Sequence, residues 1–346
     1  MKLILDNIVF SLQKVGGISV YWYEIIDRLL KTRSHLIFFQ RECDNLLLKK
    51  LPKDIFVEKC NNTPLIFDRF FNVNTNSVKS KFIFHSSYYR ITKNPNAISV
   101  TTIHDFIHEK FYTGIRKRLH VYQKKRALKY AKAIIVISEN TKRDLLKYYP
   151  NLCKDKIIRV IYNGVSNDFK PISGTNTFKN SFLFVGSRES YKNFTFSVIS
   201  ISKLQDFTLT IVGKNLNNKE INFLNKYLKN RWTLFNNIDN DKLNFLYNES
   251  FALLYPSSYE GFGIPLLESM KAGCPFIALK RSSIPEVAGN AGYLMDNITF
   301  DDFYNGVLYT LDNREELIKL GYKQSNEFNW DKCFEQTLDL YKEVFI

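Results

Sequence analysis

Nothing in this 346-residue chain supports a disulfide framework or a zinc finger: its five cysteines, at 43, 60, 153, 274 and 333, are odd in number and form no C-x-x-C pair. They read as reduced thiols. No apolar run approaches the roughly 18 to 20 residues that cross a bilayer, which excludes an integral helical membrane protein. The amino terminus enters Lys2-Leu3-Ile4-Leu5, a first strand, without the charged, apolar and small-residue zones of a secretory signal, so a cytoplasmic location is expected. Helix-turn-helix patterns, RNA-binding aromatic motifs and zinc-finger spacings are also missing.

What is present in excess is positive charge. A formal net charge of +15 and a pI near 9.4 favour anionic partners: phosphorylated ligands, an anionic membrane surface or nucleic acid. Without a nucleic-acid motif beside it, the charge points away from sequence-specific nucleic-acid binding. The remaining composition, 45% hydrophobic and 24% charged, is that of a globular protein, and the length suits two domains with separate cores.

Short β-rich runs alternate with helical patterns in both halves, which implies an α/β chain with largely parallel sheets. In the first half the runs are 3–8, 36–39, 82–85, 98–103 and 133–137, with helical spacing over 18–30 and 115–130. Ile18, Tyr21, Trp22, Ile25, Ile26, Leu29 and Leu30 recur at three- and four-residue steps and form a core face. The polar stretch from Asn167 to Thr177 has linker composition, and a second cycle follows it: strands at 182–185, 209–212, 233–235 and 252–255, helices at 194–204, 218–228 and 241–248. The expected domains are therefore 1–171 and 172–328, with a final helix within 329–346.

The densest chemistry lies in Tyr259-Glu260-Gly261-Phe262-Gly263-Ile264-Pro265-Leu266-Leu267-Glu268, after an apolar strand and at the start of a helix that Pro265 opens and Gly273 stops. Free amides of the first turn attract an anion, and glycines let the backbone approach it. Two carboxylates beside a phosphate site need hydroxyl partners, which suggests a sugar nucleotide. Gly186-Ser187-Arg188-Glu189-Ser190-Tyr191-Lys192-Asn193 follows a strand and brings two cations suited to a diphosphate; Gly16-Gly17-Ile18 opens another helix and forms a second anion cradle. His104-Asp105 ends the run Ser99-Val100-Thr101-Thr102-Ile103, while His85 is a second histidine at a strand end. Either histidine can donate to a sugar hydroxyl or satisfy buried backbone groups.

Two features read otherwise. Asp239-Asn240-Asp241 has the Asp-x-Asp form of a metal site, but its place before a helical run makes capping the better reading, and no metal is expected. The cations Arg116-Lys117-Arg118 and Lys124-Lys125-Arg126 lie among Ile115, Leu119, Tyr122 and Leu128, either as a solvated helix face or as a helix lying on an anionic bilayer.

The Glu-x7-Glu spacing of Glu260 and Glu268, continued by Gly273-Cys274-Pro275 and Ser283-Ile284-Pro285-Glu286-Val287-Ala288-Gly289, resembles the retaining glycosyltransferases of family 4. Gly186 to Asn193, Gly16-Gly17, Thr102-Ile103-His104-Asp105 and Asn163-Gly164-Val165 resemble further segments of that family. The resemblance implies a GT-B fold, two Rossmann-like domains facing a central cleft, with the last helix crossing back to the first domain. It implies transfer of a hexose from a nucleoside diphosphate sugar, GDP-mannose before a UDP-sugar, to a saccharide or lipid-linked saccharide acceptor in surface polysaccharide or O-antigen synthesis. In that scheme Glu268 holds the ribose, Glu260 and the amides of Gly261, Phe262, Gly263 and Ile264 the donor sugar and phosphate, and Lys192 with Arg188 the diphosphate. Gly16 and Gly17 line the phosphate and acceptor side, and His104 assists at the reacting sugar. The enzyme is then peripheral on the inner membrane face or free in the cytoplasm. A sugar-nucleotide epimerase of the same fold, or a basic nucleic-acid-binding protein, are the alternatives.

Overall fold

The computed structural model describes residues 1–32, 34–52, 57–59, 64–172 and 179–346, with backbone alone at 57–59 and at Ile66. Cys60 and residues 173–177 of the polar stretch lie outside the described residues. Contacts divide the chain into two units, Met1–Asn163 with Trp330–Ile346, and Gly164–Asn329.

The first unit is a seven-stranded sheet: β1 (Lys2–Asp6), β2 (His35–Gln40), β3 (Val57–Lys59), β4 (Phe82–Ser86), β5 (Ala97–Ile103), β6 (Ala131–Val136) and β7 (Ile157–Val160), in the order β3-β2-β1-β4-β5-β6-β7. Its pairings are parallel. Such a sheet must be covered on both faces, and its strands read as continuous apolar runs. The helix Gly17–Leu30 covers one face with Tyr21, Trp22, Ile25, Ile26 and Leu29, all essentially fully buried. Burial of each such side chain contributes roughly 1.5–3 kcal/mol. The last helix, Trp330–Phe345, adds Trp330, Cys333, Leu340, Tyr341 and Val344 to the same core, so the end of the chain is part of the first unit. The first strand stops at Asp6, and Ile8 opens the short helix Ile8–Leu12 instead of extending it.

The second unit has six strands, β8 (Lys179–Val185), β9 (Thr208–Val212), β10 (Trp232–Phe235), β11 (Ser250–Tyr255), β12 (Phe276–Leu279) and β13 (Tyr293–Met295), in the order β10-β9-β8-β11-β12-β13, again parallel. Phe182, Phe184, Val198, Ile211, Leu224, Phe251 and Leu254 anchor its core. It begins before the polar stretch because that stretch is partly structural. Phe169 packs edge-on to Tyr247, and the N–H groups of Lys170 and Ile172 donate to the carboxamides of Asn244 and Asn248 at 3.0 and 2.8 Å.

Strand addition reverses direction once in each sheet, between β1 and β4 and between β8 and β11. In open parallel sheets ligands gather at such a reversal, beyond the carboxyl ends of the strands.

Candidate active site

At the reversal of the second unit, two loops are drawn together by backbone geometry. Gly186, at φ 126°, sits in a conformation that favours glycine and donates its N–H to Val212 O at 2.9 Å. A Cβ on Gly213 would come within 2.6 Å of Gly186 O. Asn193 takes the left-handed region and its carboxamide donates to Pro256 O and Ser258 Oγ, both at 2.8 Å, while Ser258 N–H donates to Tyr191 O at 2.7 Å. The loop after β8 is thus stitched to the loop after β11.

That stitching brings Lys192 and Glu260 together. Their side chains are 12% and 10% exposed, and Lys192 Nζ donates to Glu260 Oε1 in an ion pair. The ammonium also lies 5.2 Å from the ring centre of Tyr255. Burial pushes the Tyr255 phenol well above its ordinary value, and the charge of Glu260 and a hydrogen bond to it push it further. Glu260 is fixed from its other side by serines. Ser282, at φ 59°, accepts from Glu260 N–H at 3.1 Å and donates to Glu260 O; Ser283 Oγ donates to Glu260 O and Phe262 O at 3.0 and 2.9 Å.

The helix Ile264–Ala272 starts immediately beyond. Its cap is Gly263, at φ 108° and without a side chain, and Pro265 carries no N–H, so no side-chain cap covers the first turn. The buried segment Gly261-Phe262-Gly263 leads into Ile264 there, which makes this a ready anion site. One turn in, Glu268 accepts from Tyr247 Oη at 2.9 Å. Burial raises its carboxyl to about 7, and the Tyr247 hydrogen bond opposes that rise.

Arg188 has partners other than the Lys192–Glu260 pair. Its Nε donates to Glu220 Oε1 at 2.6 Å, and its terminal nitrogens donate to Lys214 O and Asn215 O at 3.0 and 2.9 Å. Glu220 in turn completes the capping box of the helix Asn218–Leu228. With its fork engaged in this way, Arg188 braces the loops after β8 and β9 rather than presenting a free fork to a diphosphate. Asp239 accepts from Lys242 N–H at 2.8 Å as the cap of the helix Asn240–Glu249.

In the first unit, Gly16 precedes the helix Gly17–Leu30, where Ser19 Oγ accepts from Gly16 N–H and donates to Gly16 O, both at 2.9 Å. A Cβ on Gly16 would meet Gln13 Oε1 at 2.6 Å. One turn along the same helix, Tyr21 packs edge-on to His104, with ring centres 5.1 Å apart, and its hydroxyl meets Thr102 Oγ1 at 3.2 Å. His104 is 7% exposed at the carboxyl end of β5; burial, then the charge of Lys124, lowers its imidazole to about 3 and keeps it neutral. His85 proves to be a core residue: fully buried, it bridges Tyr341 Oη at 2.5 Å and Thr102 Oγ1 at 3.0 Å, fastening the last helix to the sheet.

Lys124 corrects the reading of the basic helix. It is 0% exposed, pairs with Glu109 at 2.8 Å, donates to Asp105 O at 2.8 Å and lies over the ring of Phe106. Tyr149 Oη donates to the same Glu109 at 2.7 Å. Arg126 donates to Phe70 O and to Asn72 Oδ1. The helix Gly114–Tyr130 therefore buries polar groups and leaves Ile115, Leu119 and Tyr122 exposed, the inverse of an ordinary amphipathic helix. Sequence reasoning selects none of Glu109, Tyr247, Tyr255 and Ser282, and takes Tyr21 only as core, Lys124 only as part of a basic helix face and Ser283 only as part of a motif segment. Of these only Ser283 carries a signal, its place in the segment that continues the Glu-x7-Glu motif.

Residues 15–169 match the family model "Glycosyltransferase Family 4", and residues 165–326 match "Glycosyl transferases group 1". The O-antigen chain mannosyltransferase B of Escherichia coli is 25% identical over 268 residues, 70% of each chain. Among solved structures, a sucrose-phosphate synthase from Thermosynechococcus elongatus superposes with a TM-score of 0.78 at 18% identity, covering 100% of this chain and 99% of that one. HepE from Anabaena, solved with UDP-glucose, gives 0.74 at 14% identity over 99% and 100% of the two chains. At these identities the structural likeness establishes the GT-B architecture.

Proposed function

We propose a specific reaction for this chain, which belongs to the group 1 glycosyltransferases of family 4: transfer of a hexose from a nucleoside diphosphate sugar to an acceptor hydroxyl, with retention at the anomeric carbon. The observation that carries this reading is the Lys192–Glu260 pair at the strand reversal, next to a helix start capped only by glycine. A diphosphate placed there takes up the charge of Lys192 and the first-turn amides. The hydroxyls of the transferred sugar then take up Glu260, and the ribose hydroxyls Glu268.

In the step itself the acceptor oxygen bonds to the anomeric carbon as the bond to the diphosphate oxygen breaks, on the same face. The departing phosphate oxygen takes the acceptor's proton, and a glycoside and a nucleoside diphosphate result. One cation about 4 Å from a phosphate charge is worth roughly 4 kcal/mol at an effective dielectric near 20, before desolvation, so Lys192 can stabilise the leaving group. In the first unit His104, neutral and buttressed by Tyr21, can donate a hydrogen bond to a sugar hydroxyl, and the resemblance assigns Gly16-Gly17 to the phosphate and acceptor side. Metal is not required in this scheme.

The relative from Escherichia coli supports mannose as the transferred sugar and an acceptor in O-antigen assembly, and the family resemblance puts GDP first as its carrier. Calorimetry against UDP, GDP and dTDP tests the donor: GDP binding tightest fits the reading, and no binding by any of the three overturns it. A lipid-linked acceptor suits a peripheral location. The exposed face of the helix Gly114–Tyr130, with Ile115, Leu119 and Tyr122 beside Arg118, Lys125 and Lys129, is the contact we assign to an anionic bilayer, at about 1 kcal/mol per cation. Failure to float with phosphatidylglycerol vesicles at low salt removes that assignment.

A further inference from the structure

A column of rings ending in a cation on each side stands at the carboxyl edge of the first unit's sheet. The guanidinium of Arg116 lies 4.4 Å from the ring centre of Tyr112, which stacks on His108 at 4.8 Å. His108 stacks on His120 with centres 3.6 Å apart and planes 8° from parallel. His120 meets Tyr88 edge-on at 5.9 Å, and Arg69 lies over Tyr88 at 5.6 Å. Tyr88 comes from the loop after β4, and the histidines from the two helices after β5. This is the edge at which ligands of such sheets collect.

Three donor positions in the column lack partners: Nδ1 of His108, Nδ1 of His120 and Nε of Arg69 are buried and make no hydrogen bond. His120 is only 5% exposed. Among the described residues neither Arg69 nor Arg116 forms an ion pair. The nearby carboxylates have other partners: Glu109 accepts from Lys124 and Tyr149, and Asp105 Oδ1 from Ile107 N–H at 3.0 Å. Arg69 is held in place by Gln123, whose Oε1 accepts from it at 2.9 Å and whose Nε2 donates to Arg69 O at 2.7 Å.

Orphaned buried donors, two unpaired guanidinium groups and the electropositive edges of stacked rings all favour one kind of guest, an oxyanion. Burial and the charge of Lys124 keep both imidazoles neutral, near 4 for His108 and near 2 for His120, and a neutral imidazole still donates from the Nδ1–H tautomer. We propose that this column receives a phosphate group carried by the acceptor. The word acceptor rests on the transferase reading above; the anion site does not.

Calorimetry of the full chain with two probes tests it: glycerol 1-phosphate, a monoester, and isopentenyl diphosphate, a diphosphate on an apolar stub. Lys192→Ala, which removes the diphosphate cation of the second unit, is expected to bind the preferred probe as the unaltered chain does. Arg69→Gln/Arg116→Gln is expected to lose at least about tenfold, since two charge-assisted contacts go, and His120→Phe, which keeps the stack, about threefold to tenfold. Lys147→Gln, an exposed cation of the helix Glu139–Tyr148, is the control and leaves binding unchanged. Tighter binding of the monoester points to a sugar phosphate, and of the diphosphate to an isoprenoid carrier. Loss of binding in Lys192→Ala, an unaffected double arginine variant, or an equal loss in Lys147→Gln overturns the proposal. Should His120→Phe not fold, the exposed Arg116→Gln alone still decides. Binding of UDP, GDP and dTDP reads the transferase assignment separately, so either can fail without the other.

Discussion

The two sheets share one strand order around their reversal points, yet the reversals are filled in opposite ways. In the first unit the gap between β1 and β4 is closed by a buried ionic network. Arg90, 5% exposed, donates to Asp68 at 2.8 Å and faces Asp6, which also accepts from Ser86 Oγ at 2.7 Å; Arg41 donates to the same Asp68 at 2.9 Å. Burial raises the Asp6 carboxyl, and Arg90 opposes the rise. In the second unit the gap between β8 and β11 holds glycine backbone and the ion pair of Lys192 with Glu260. Topology provides a crevice in both; the side chains decide whether it is a structural joint or a binding site.

Substitutions should therefore separate stability from chemistry. The largest effect is expected for Arg90→Ala, which takes the facing cation from buried Asp6 and one of two arginines from Asp68, and should cost about 3–5 kcal/mol in denaturant unfolding of the first unit. Nucleotide affinity, which the proposed reaction assigns to the second unit, should stay within about twofold on that reasoning. An unchanged midpoint with lost nucleotide binding would reverse the comparison.

Lys192→Ala comes next. Turnover should fall by about two to three orders of magnitude, as when a preorganised electrostatic contact to a leaving group is lost, with the unfolding midpoint nearly unchanged. Near-normal turnover in the folded variant removes Lys192 from the mechanism. Arg188→Gln sharpens the contrast, because its bonds to Glu220 and two carbonyls predict a loss of stability larger than its loss of turnover.

A smaller effect is expected from pH. Glu268 is raised to about 7, so its charged form, the better acceptor for hydroxyls, is lost as pH falls through 7. Nucleotide affinity should drop by up to about tenfold from pH 8 to pH 6, and Glu268→Gln should flatten that profile. The sign for folding is opposite. A carboxyl raised in the folded state contributes stability that is full below its ordinary 4.5 and is lost as pH rises through 7. The smallest effect belongs to Asp239→Ala, about 1 kcal/mol for a lost helix cap, with turnover unchanged in EDTA. Metal-dependent turnover would restore the Asp-x-Asp reading.

Much of this was legible in the sequence because the signals are local. The helices Asn218–Leu228 and Trp330–Phe345 follow from spacing alone, and the strands at the reversal points are long apolar runs. The family's motif segments carry the site of the second unit. What escaped depends on distant partners. Lys124 lies on a helix whose residues suggest a charged outer face, and its burial makes sense only with Glu109 and Tyr149 in place. Arg188 sits in the expected motif, but Glu220, 32 residues on, claims its guanidinium. β12 and β13 span only four and three residues, too few for an alternation to register.

In the proposed reaction the ion pair between Lys192 and Glu260 would bear on turnover after chemistry as well as before it. With no guest, each group satisfies the other. An incoming donor can replace both partners at once, supplying oxyanions to one and alcohols to the other. The spent nucleotide has lost the sugar and offers nothing to Glu260, so the carboxylate competes for its lysine again. In that reaction such competition would bias the pocket toward emptying and guard against inhibition by the by-product.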